Sequence, residues 1–235
     1  MTKYPQIKII AFPFAGGSIY SYTDFQQLAQ KYGLFWHTIE YPGRGKKIHN
    51  ELIDNFDTLI DSIEHEIYEI ISTDNDYIFY GHSMGSLIGY EITKRIIKKK
   101  IKLPKLLYFT GRNAPSISLQ DSIATLQTNE FWNLLDNLGG LPIEVLENDE
   151  LKEFIEPILR SDFFALEKYV YMDKNKPFSI PIIIRIGDTD TATFDMAKLW
   201  QKETLFPLNI KILKGDHFFI FDHQEQIIKE IIELL

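Results

Sequence analysis

Three polar residues in this sequence are spaced as the members of a nucleophilic triad would be. Ser83 is the centre of the sequence Gly-His-Ser-Met-Gly at residues 81–85, which fits the pattern Gly-x-Ser-x-Gly. The motif follows an apolar, strand-like segment at 77–80 and leads into a helix-compatible stretch at 86–95. A sharp strand-to-helix turn leaves no room for side chains on either side of the serine and exposes its hydroxyl above the sheet edge. Ser83 is therefore the candidate nucleophile of an acyl-transfer reaction.

A serine hydroxyl is a weak nucleophile at neutral pH, so it needs a histidine base and usually a carboxylate that orients the base. With this serine motif the chain order is serine, acid, histidine. Asp190 follows the apolar segment 182–186, and His217 follows the segment 209–213. Both are therefore expected in loops at the carboxyl ends of strands, where open α/β sheets place their sites. We predict that His217 is the base and that Asp190 orients it.

Other acidic residues and histidines compete for these roles. Asp188 and Asp195 flank Asp190 and stay open as alternatives, although most aspartates in loops form turns or cap helices. Asp216 is a chain neighbour of His217 and is poorly placed to reach its Nδ1 atom, so a turn role is expected. The remaining histidines fall in strands, in or near helices or in the serine motif itself: His37, His49, His65, His82 and His223.

Two backbone N–H groups must face the charge that develops on the carbonyl oxygen. Met84 follows the nucleophile at the start of the expected helix and should supply one. The other should come from the loop Phe-Pro-Phe-Ala-Gly-Gly-Ser at residues 12–18, whose glycines let the backbone approach a ligand closely. Alignment of residues 13–15 with the His-Gly-x sequence of hydrolases gives Ala15 as the donor, with Phe14 as the alternative. The loop lacks the patterns of phosphate-binding loops.

The strands and helices that must position these residues indicate an α/β fold. Strand-length apolar segments alternate with helical periodicities, which indicates a mostly parallel sheet flanked by helices. Strands are predicted at 8–12, 35–40, 77–80, 106–110, 182–186 and 209–213, and helices from residue 56, over 86–100 and over 224–235. We predict one domain spanning residues 1–235.

The segment between the fourth and fifth predicted strands is longer than one crossover helix requires. It contains helix-like pieces and predicts a helical lid insertion at about residues 115–178. Apolar residues of this lid are candidates for covering the substrate, although packing of a lid helix on the sheet explains each of them equally well. The candidates for substrate binding are Phe131, Trp132 and Leu135, and Leu134 and Leu138 add to the same apolar cover.

Composition excludes several classes of function. The chain has no cysteine, which rules out disulfides, thiolate metal sites and a cysteine nucleophile and is compatible with the cytoplasm. A net charge of −8 argues against nucleic-acid binding. Neither a signal-peptide pattern nor an apolar run of the roughly 20 residues that span a bilayer is present, so no membrane contact is expected. Glu69 stands where a zinc-protease helix starting at His65 would need its second histidine, so no metal is expected.

Several motifs together resemble the type II thioesterases that accompany nonribosomal peptide and polyketide synthetases, and the resemblance runs nearly end to end. The resemblance implies an α/β-hydrolase fold with a Ser83, Asp190 and His217 triad. It also implies hydrolysis of acyl or aminoacyl thioesters on the phosphopantetheine arm of carrier proteins, an editing role that needs no cofactor in the enzyme. The chain is expected to be a monomer. The motifs lie at residues 12–18, 41–45, 81–85, 110–115, 138–142, 159–163 and 215–219.

One motif departs from the family pattern, and two other functions stay open. Residues 45–47 are Gly-Lys-Lys, whereas the family often has a glutamate after Pro-Gly-Arg, so the role of this loop is undefined. A carboxylesterase or lipase would use the same triad on oxygen esters. A carrier-binding protein without catalysis would keep the fold but would not need a complete triad. A releasing domain within a larger synthetase is not expected, because no carrier domain accompanies the sequence.

Overall fold

The computed structural model describes residues 7–73, 75–119, 122–139, 143–173 and 176–235. Within these ranges the strands form one six-stranded sheet in the order β2-β1-β3-β4-β5-β6, and every neighbouring pair is parallel. The predicted α/β fold with a parallel sheet is confirmed. The strands are β1 Lys8–Phe12, β2 Phe35–Thr38, β3 Tyr77–His82, β4 Leu107–Thr110, β5 Ile182–Gly187 and β6 Asn209–Leu213.

Helices cover both faces of the sheet, so the central strands are buried on both sides. All six residues of β3 and all six of β5 are buried, which explains why these strands read as continuous apolar segments. Helices α1 and α8 contribute to the hydrophobic core on one face, and α2, α3 and the lid helices α4 and α6 contribute to the core on the other. The helices are α1 Thr23–Lys31, α2 Phe56–Ile71, α3 Met84–Lys99, α4 Thr128–Leu138, α5 Ile143–Leu146, α6 Asp149–Glu167, α7 Phe194–Ala197 and α8 Gln224–Glu233.

The boundaries differ from the sequence-based prediction where loops carry polar anchors. Strand β2 ends at Thr38 and does not reach Glu40. The carboxylate of Glu40 accepts hydrogen bonds from the backbone N–H groups of Ile19 and Lys46, at 3.2 and 3.1 Å, and so ties two loops together. Strand β3 continues to His82, and α3 begins at Met84 instead of Ser86. Only Ser83 lies between the strand and the helix.

Three helices, α4, α5 and α6, occupy the segment predicted as a lid. Helix α6 is capped by Asn148, whose side chain accepts the N–H of Leu151 at 3.1 Å. Residues 120–121, 140–142 and 174–175 of the predicted insertion lie outside the described residues, and so does the second half of the motif at 138–142. No helix in the described ranges is both long enough and apolar enough to cross a membrane.

Candidate active site

The turn at Ser83 holds this residue in a backbone conformation that side chains rarely adopt. Its φ is 53° and its ψ is −115°, directly between β3 and α3. A β-carbon at Gly85 would overlap the carbonyl oxygen of Phe12, and one at Gly81 would overlap the backbone of Gly85. The N–H of Ser83 donates to the carbonyl oxygen of Thr110 at 2.9 Å, so β4 holds the turn in place. Both glycines of the motif are therefore required by contact with the backbone.

Asp190 and His217 are joined directly. Oδ1 of Asp190 lies 2.8 Å from Nδ1 of His217, and the aspartate side chain is fully buried. The same oxygen accepts the N–H of Ala192 at 3.1 Å, which fixes the carboxylate. Because a carboxylate only accepts hydrogen bonds, Nδ1 of His217 carries the proton and Nε2 is left free to act as a base. The structure thus brings together the two residues that the chain order selected.

The competing aspartates have other partners. Oδ1 of Asp188 accepts the N–H of Gly215 at 2.8 Å and so links the two loops that carry Asp190 and His217. Asp195 is exposed and pairs with Lys198 at 2.7 Å. Asp216 accepts the N–H of Phe218 at 2.7 Å, as expected for a turn residue. None of the three contacts His217 through its carboxylate.

Ser83 and His217 face one large cavity. Its volume is about 1190 Å³, and it is lined mostly by apolar residues from the lid and the loops at the carboxyl edge of the sheet. No hydrogen bond between the Ser83 hydroxyl and His217 is present in the described part of the chain. Catalytic hydrogen bonds are often long without substrate and shorten in the reacting complex. Ser83 can therefore act as a nucleophile once a bound ligand brings its hydroxyl into hydrogen-bond distance of His217.

A second histidine lies beside the first but stays neutral. The rings of His82 and His217 are 4.9 Å apart between centroids. The hydroxyl of Thr110 donates to the carbonyl oxygen of Gly81, so it accepts from Nδ1 of His82, at 2.9 Å. Burial, and then the neighbouring His217, lower the pKa of His82 well below its ordinary value. His82 therefore adds no positive charge next to the base.

The loop after β1 forms a tight turn in which two N–H groups, those of Gly16 and Gly17, are bonded within the protein. The N–H of Gly17 donates to the carbonyl oxygen of Phe14 at 2.9 Å, and Gly16 takes a φ of 78°, which favours glycine at that position of the turn. The N–H of Gly16 donates to Asp162 at 2.7 Å. Phe14, Ala15 and Met84 each keep an N–H without a partner among the described residues. Met84 and either Ala15 or Phe14 are therefore available for an oxyanion, and the assignment of Ala15 stays a prediction.

Sequence reasoning missed the group that holds this turn. Arg44 and Asp162 form a two-pronged ion pair, with Nη1 to Oδ2 at 2.5 Å and Nη2 to Oδ1 at 2.7 Å, and their side chains are 4% and 0% exposed. Burial acts to lower the pKa of Arg44, but attraction to Asp162 and hydrogen bonding with it outweigh burial and raise that pKa.

This ion pair connects three segments that are distant in sequence. Asp162 lies on α6 and binds Gly16, while Arg44 lies in the loop after β2. The lid helix α6, the Pro-Gly-Arg loop and the turn at residues 14–17, called the oxyanion turn below after its predicted role, are thereby joined. The signal that could have found the pair is that Arg44 and Asp162 each lie in a family motif, at residues 41–45 and 159–163.

The lid helix α4 contributes to the cavity three of the five apolar residues that the sequence named as candidates. Leu135 lines it, as do Leu134 and Leu138, on the face of α4 that looks towards the cavity. Phe131 and Trp132 are not among the residues that line it, and their assignment as substrate-binding residues stays a prediction. Phe131 packs edge-on against Phe163 of α6, and Nε1 of Trp132 donates to Glu156 at 2.8 Å. Both residues therefore hold α4 against α6. The sequence pattern of α4 alone could not reveal this contact with α6.

No group of three or more histidine, aspartate or glutamate side chains in the described ranges is arranged to hold a metal ion. The absence of a metal and of a cofactor stays a prediction.

A parallel α/β sheet with a serine at a strand-to-helix turn and an Asp–His pair in the two following loops defines a serine hydrolase of the α/β-hydrolase class. A family model described as a thioesterase domain matches residues 7–235. The chain belongs to the thioesterase family and is a hydrolase that acts on thioesters. The family resemblance found in the sequence is confirmed.

Individual relatives are similar over nearly the whole chain. GrsT, a gramicidin S biosynthesis protein of Aneurinibacillus migulanus, is 27% identical, with 95% of this chain and 87% of GrsT covered. Thioesterase PikA5 of Streptomyces venezuelae is 27% identical, with 96% of this chain and 79% of PikA5 covered. The crystal structure of ClbQ, from the colibactin NRPS/PKS pathway, superimposes with a TM-score of 0.90 at 27% identity and covers 97% of this chain and 96% of ClbQ.

Proposed function

We propose that this chain is a stand-alone type II thioesterase that removes acyl or aminoacyl groups from the phosphopantetheine arm of carrier proteins. Its role would be editing in nonribosomal peptide or polyketide biosynthesis. The observation that carries the proposal is the large, mostly apolar cavity that Ser83 and His217 share. Relatives named for such pathways, matched over most of their length, support the same substrate class.

In the first half of the reaction, Nε2 of His217 takes the proton of the Ser83 hydroxyl as Oγ attacks the thioester carbonyl. The carbonyl oxygen becomes an oxyanion that the N–H groups of Met84 and Ala15 stabilise. When the intermediate collapses, the carbon–sulfur bond breaks, and the pantetheine sulfur takes the proton from His217. Asp190 keeps the imidazole in the productive tautomer and stabilises its protonated form.

In the second half, water replaces the serine as nucleophile. His217 removes a proton from the water, which attacks the acyl-serine carbonyl, and then returns the proton to Oγ of Ser83. The products are a free acid and the starting enzyme. The apolar lid residues around the cavity cover the acyl chain and limit its size, as pockets of this kind do for their ligands.

The test is intact-mass analysis of an acylated carrier protein after incubation with the enzyme. Wild type should remove the acyl group and leave the phosphopantetheine arm on the carrier, whereas Ser83→Ala should leave the acyl group in place. Ser62→Ala is a matched control, because this serine lies on α2 and its hydroxyl donates to the carbonyl oxygen of Leu59, its one partner among the described residues. Acyl loss with both wild type and Ser83→Ala, or with neither, would contradict the proposal.

Oxygen esters with the same acyl group separate this function from that of an esterase. A higher kcat/KM for the acyl-pantetheine thioester than for the matched ester is expected. The partner in this proposal is a carrier protein, and the enzyme needs no cofactor of its own. Monomeric state, cytoplasmic location and lack of nucleic-acid or membrane contact belong to the same proposal and stay predictions.

A further inference from the structure

The five arginines of the chain differ in one respect. Four of them bind a carboxylate: Arg44 binds Asp162, Arg95 binds Asp61 and Glu64, Arg160 binds Glu156, and Arg185 binds Glu230. The fifth, Arg112, has no hydrogen bond or ion pair through its guanidinium with any residue of the described ranges. Its Nε atom is buried without a partner. Arg112 is also one of the residues that line the cavity of Ser83 and His217.

The position of Arg112 places it close to the reacting groups. It directly follows Gly111, where a β-carbon would lie 3.3 Å from Cε1 of His217. Its carbonyl oxygen accepts Nε1 of the buried Trp200 at 3.1 Å, which fixes the backbone. The next residue, Asn113, also lines the cavity, and its Oδ1 is likewise buried without a partner. Two neighbouring polar side chains are thus left unpaired on a cavity wall that is otherwise mostly apolar.

An unpaired guanidinium in such a place is energetically costly. Burial of a charge is tolerated when an opposite charge and hydrogen bonds offset the loss of water. Burial lowers the pKa of Arg112 to about 10, and the nearby Tyr169 acts in the opposite direction. The group therefore remains charged at neutral pH. Among the described residues, Glu130 is the one carboxylate that lines the cavity, and it is exposed and forms no ion pair with Arg112. A ligand that enters the cavity can therefore supply the missing counter-charge.

We propose that Arg112 is a specificity-determining residue whose guanidinium binds an anionic oxygen of the substrate's acyl group. Acyl groups that end in a carboxylate are then preferred over those that end in a methyl group, and both over those that end in an ammonium group. This inference rests on the proposed thioesterase function and narrows its substrate class. The planar guanidinium suits a carboxylate because both oxygens can be bound at once.

A phosphate of the pantetheine arm carries the same chemistry, but its position fits less well. Consecutive Cα atoms are about 3.8 Å apart, so Arg112 begins one residue away from the contact with the His217 ring. The thioester carbonyl reacts at that histidine, and the phosphate lies a whole pantetheine length away from it. An oxygen on the acyl side of the carbonyl is nearer to Arg112.

The test compares pantetheine thioesters that differ at the end of the acyl chain. The pairs are malonyl with propionyl and adipoyl with hexanoyl, and 6-aminohexanoyl supplies the positive charge. In wild type, kcat/KM for the carboxylate member of at least one pair should exceed that of the methyl member by about 10- to 100-fold, as expected for a hydrogen bond between charged groups. The 6-aminohexanoyl thioester should be the slowest of the six-carbon substrates.

The variant Arg112→Met keeps much of the side-chain length and removes the charge. In this variant, the kcat/KM values of the two members of each pair should differ by no more than about threefold, while hydrolysis of the hexanoyl thioester continues. Arg95→Met is the matched control, because it removes a guanidinium at the far end of α3 that is already paired; it should keep the wild-type preference. Arg112→Lys should retain part of the preference, because the charge remains but the planar geometry is lost.

Several outcomes would overturn the inference. These are equal rates within both pairs in wild type, a carboxylate preference that survives in Arg112→Met, or an equal loss on all substrates in that variant. An Arg112-dependent preference for hexanoyl-phosphopantetheine over hexanoyl-pantetheine, without any preference at the acyl end, would assign the phosphate as the ligand. If wild type hydrolyses no thioester, or Ser83→Ala hydrolyses as well as wild type, the proposed function itself fails. Ser83-dependent hydrolysis of hexanoyl-pantetheine without any carboxylate preference rejects only this inference.

Discussion

The cavity has two walls that differ in how their polar groups are paired. The oxyanion wall consists of residues 14–16, which Asp162 and its partner Arg44 hold from behind the lining. The acyl wall consists of Arg112 and Asn113 with the lid leucines of α4. One buried or partly buried arginine is associated with each wall. Arg44 makes two hydrogen bonds to Asp162, whereas Arg112 has no partner for its guanidinium in the described part of the protein.

This difference in pairing matches two different roles, stabilisation of the oxyanion and selection of the acyl group. Groups that stabilise the oxyanion act best when they are fixed before the reaction, because no reorganisation is then needed. The protein supplies every partner needed to fix the oxyanion turn. A specificity site has to leave groups unpaired so that only the right ligand satisfies them, and a ligand that fails to do so is rejected. The acyl wall has this property.

The largest effect is expected between the two walls, at Asp190. Asp190→Asn should lower kcat by about 10³- to 10⁴-fold, because the amide favours the wrong imidazole tautomer, while KM changes little. Steady-state kinetics on a hexanoyl thioester measures this. Asp195→Asn, at an exposed residue that pairs with Lys198, should leave kcat near wild type. A variant at Asp190 within tenfold of wild type would reassign the acid to one of its neighbours.

The oxyanion wall should respond next. Asp162→Asn weakens the anchor of the Gly16 N–H and leaves Arg44 buried without a counter-charge. We expect kcat to fall by about 10- to 100-fold with KM nearly unchanged, because the oxyanion contact is made in the transition state. Stability should also fall, by about 3 kcal/mol. Arg44→Lys should be a milder version of the same change, since it keeps the charge but loses the two-pronged geometry.

The control for this prediction is a second buried ion pair. Nε of Arg185 lies 2.8 Å from Oε2 of Glu230, and the two side chains are 1% and 12% exposed. Neither residue lines the cavity. Glu230→Gln should lower stability without lowering kcat. Equal loss of kcat in Glu230→Gln and Asp162→Asn, measured well below both unfolding transitions, would mean that general destabilisation explains the effect and that the oxyanion turn has no special dependence on Asp162.

The apolar part of the acyl wall should give a smaller change. Leu135→Trp fills part of the cavity and should shift the ratio of kcat/KM for octanoyl over butyryl thioesters towards the shorter chain by about tenfold. Trp132→Phe is the control, because Trp132 lies on the same helix as Leu135 but does not line the cavity. It should leave this ratio unchanged. A shift caused by Trp132→Phe alone would support the sequence-based assignment of the lid.

The smallest expected effect concerns stability alone. It comes from Glu230, which pairs with Arg185 outside the cavity. Burial raises the pKa of Glu230, but hydrogen bonds from Tyr108, Arg185 and Lys211 outweigh it and lower that pKa to about 2. The charged carboxylate therefore contributes stability above the ordinary glutamate pKa near 4.3, and this contribution is lost as the pH falls towards 2. Urea unfolding should show a gap between wild type and Glu230→Gln that is widest at pH 7 and narrows below pH 4. A gap of constant size would contradict this origin.

Local patterns predicted most of the fold and indicated the candidate catalytic residues. Strands β1 and β6 have the predicted bounds, because each is a short apolar or alternating segment between polar residues. The glycines around Ser83 indicated the turn, since no other residue fits there. The pattern of α4 did not separate Leu135, which lines the cavity, from Phe131 and Trp132, which contact α6. One helix pattern does not reveal whether its apolar face meets another helix or a cavity.

The sequence by itself indicated the candidate nucleophile and the α/β class, because both depend on local patterns of residues close together along the chain. It also gave the order of serine, acid and base, because order is read directly from the chain. The tertiary structure alone decided which aspartate binds His217, that Arg44 and Asp162 meet across 118 positions, and that Arg112 has no such partner. Pairing of buried charges depends on distances between segments that fold together from remote parts of the chain. A one-dimensional pattern contains the charges but does not contain those distances.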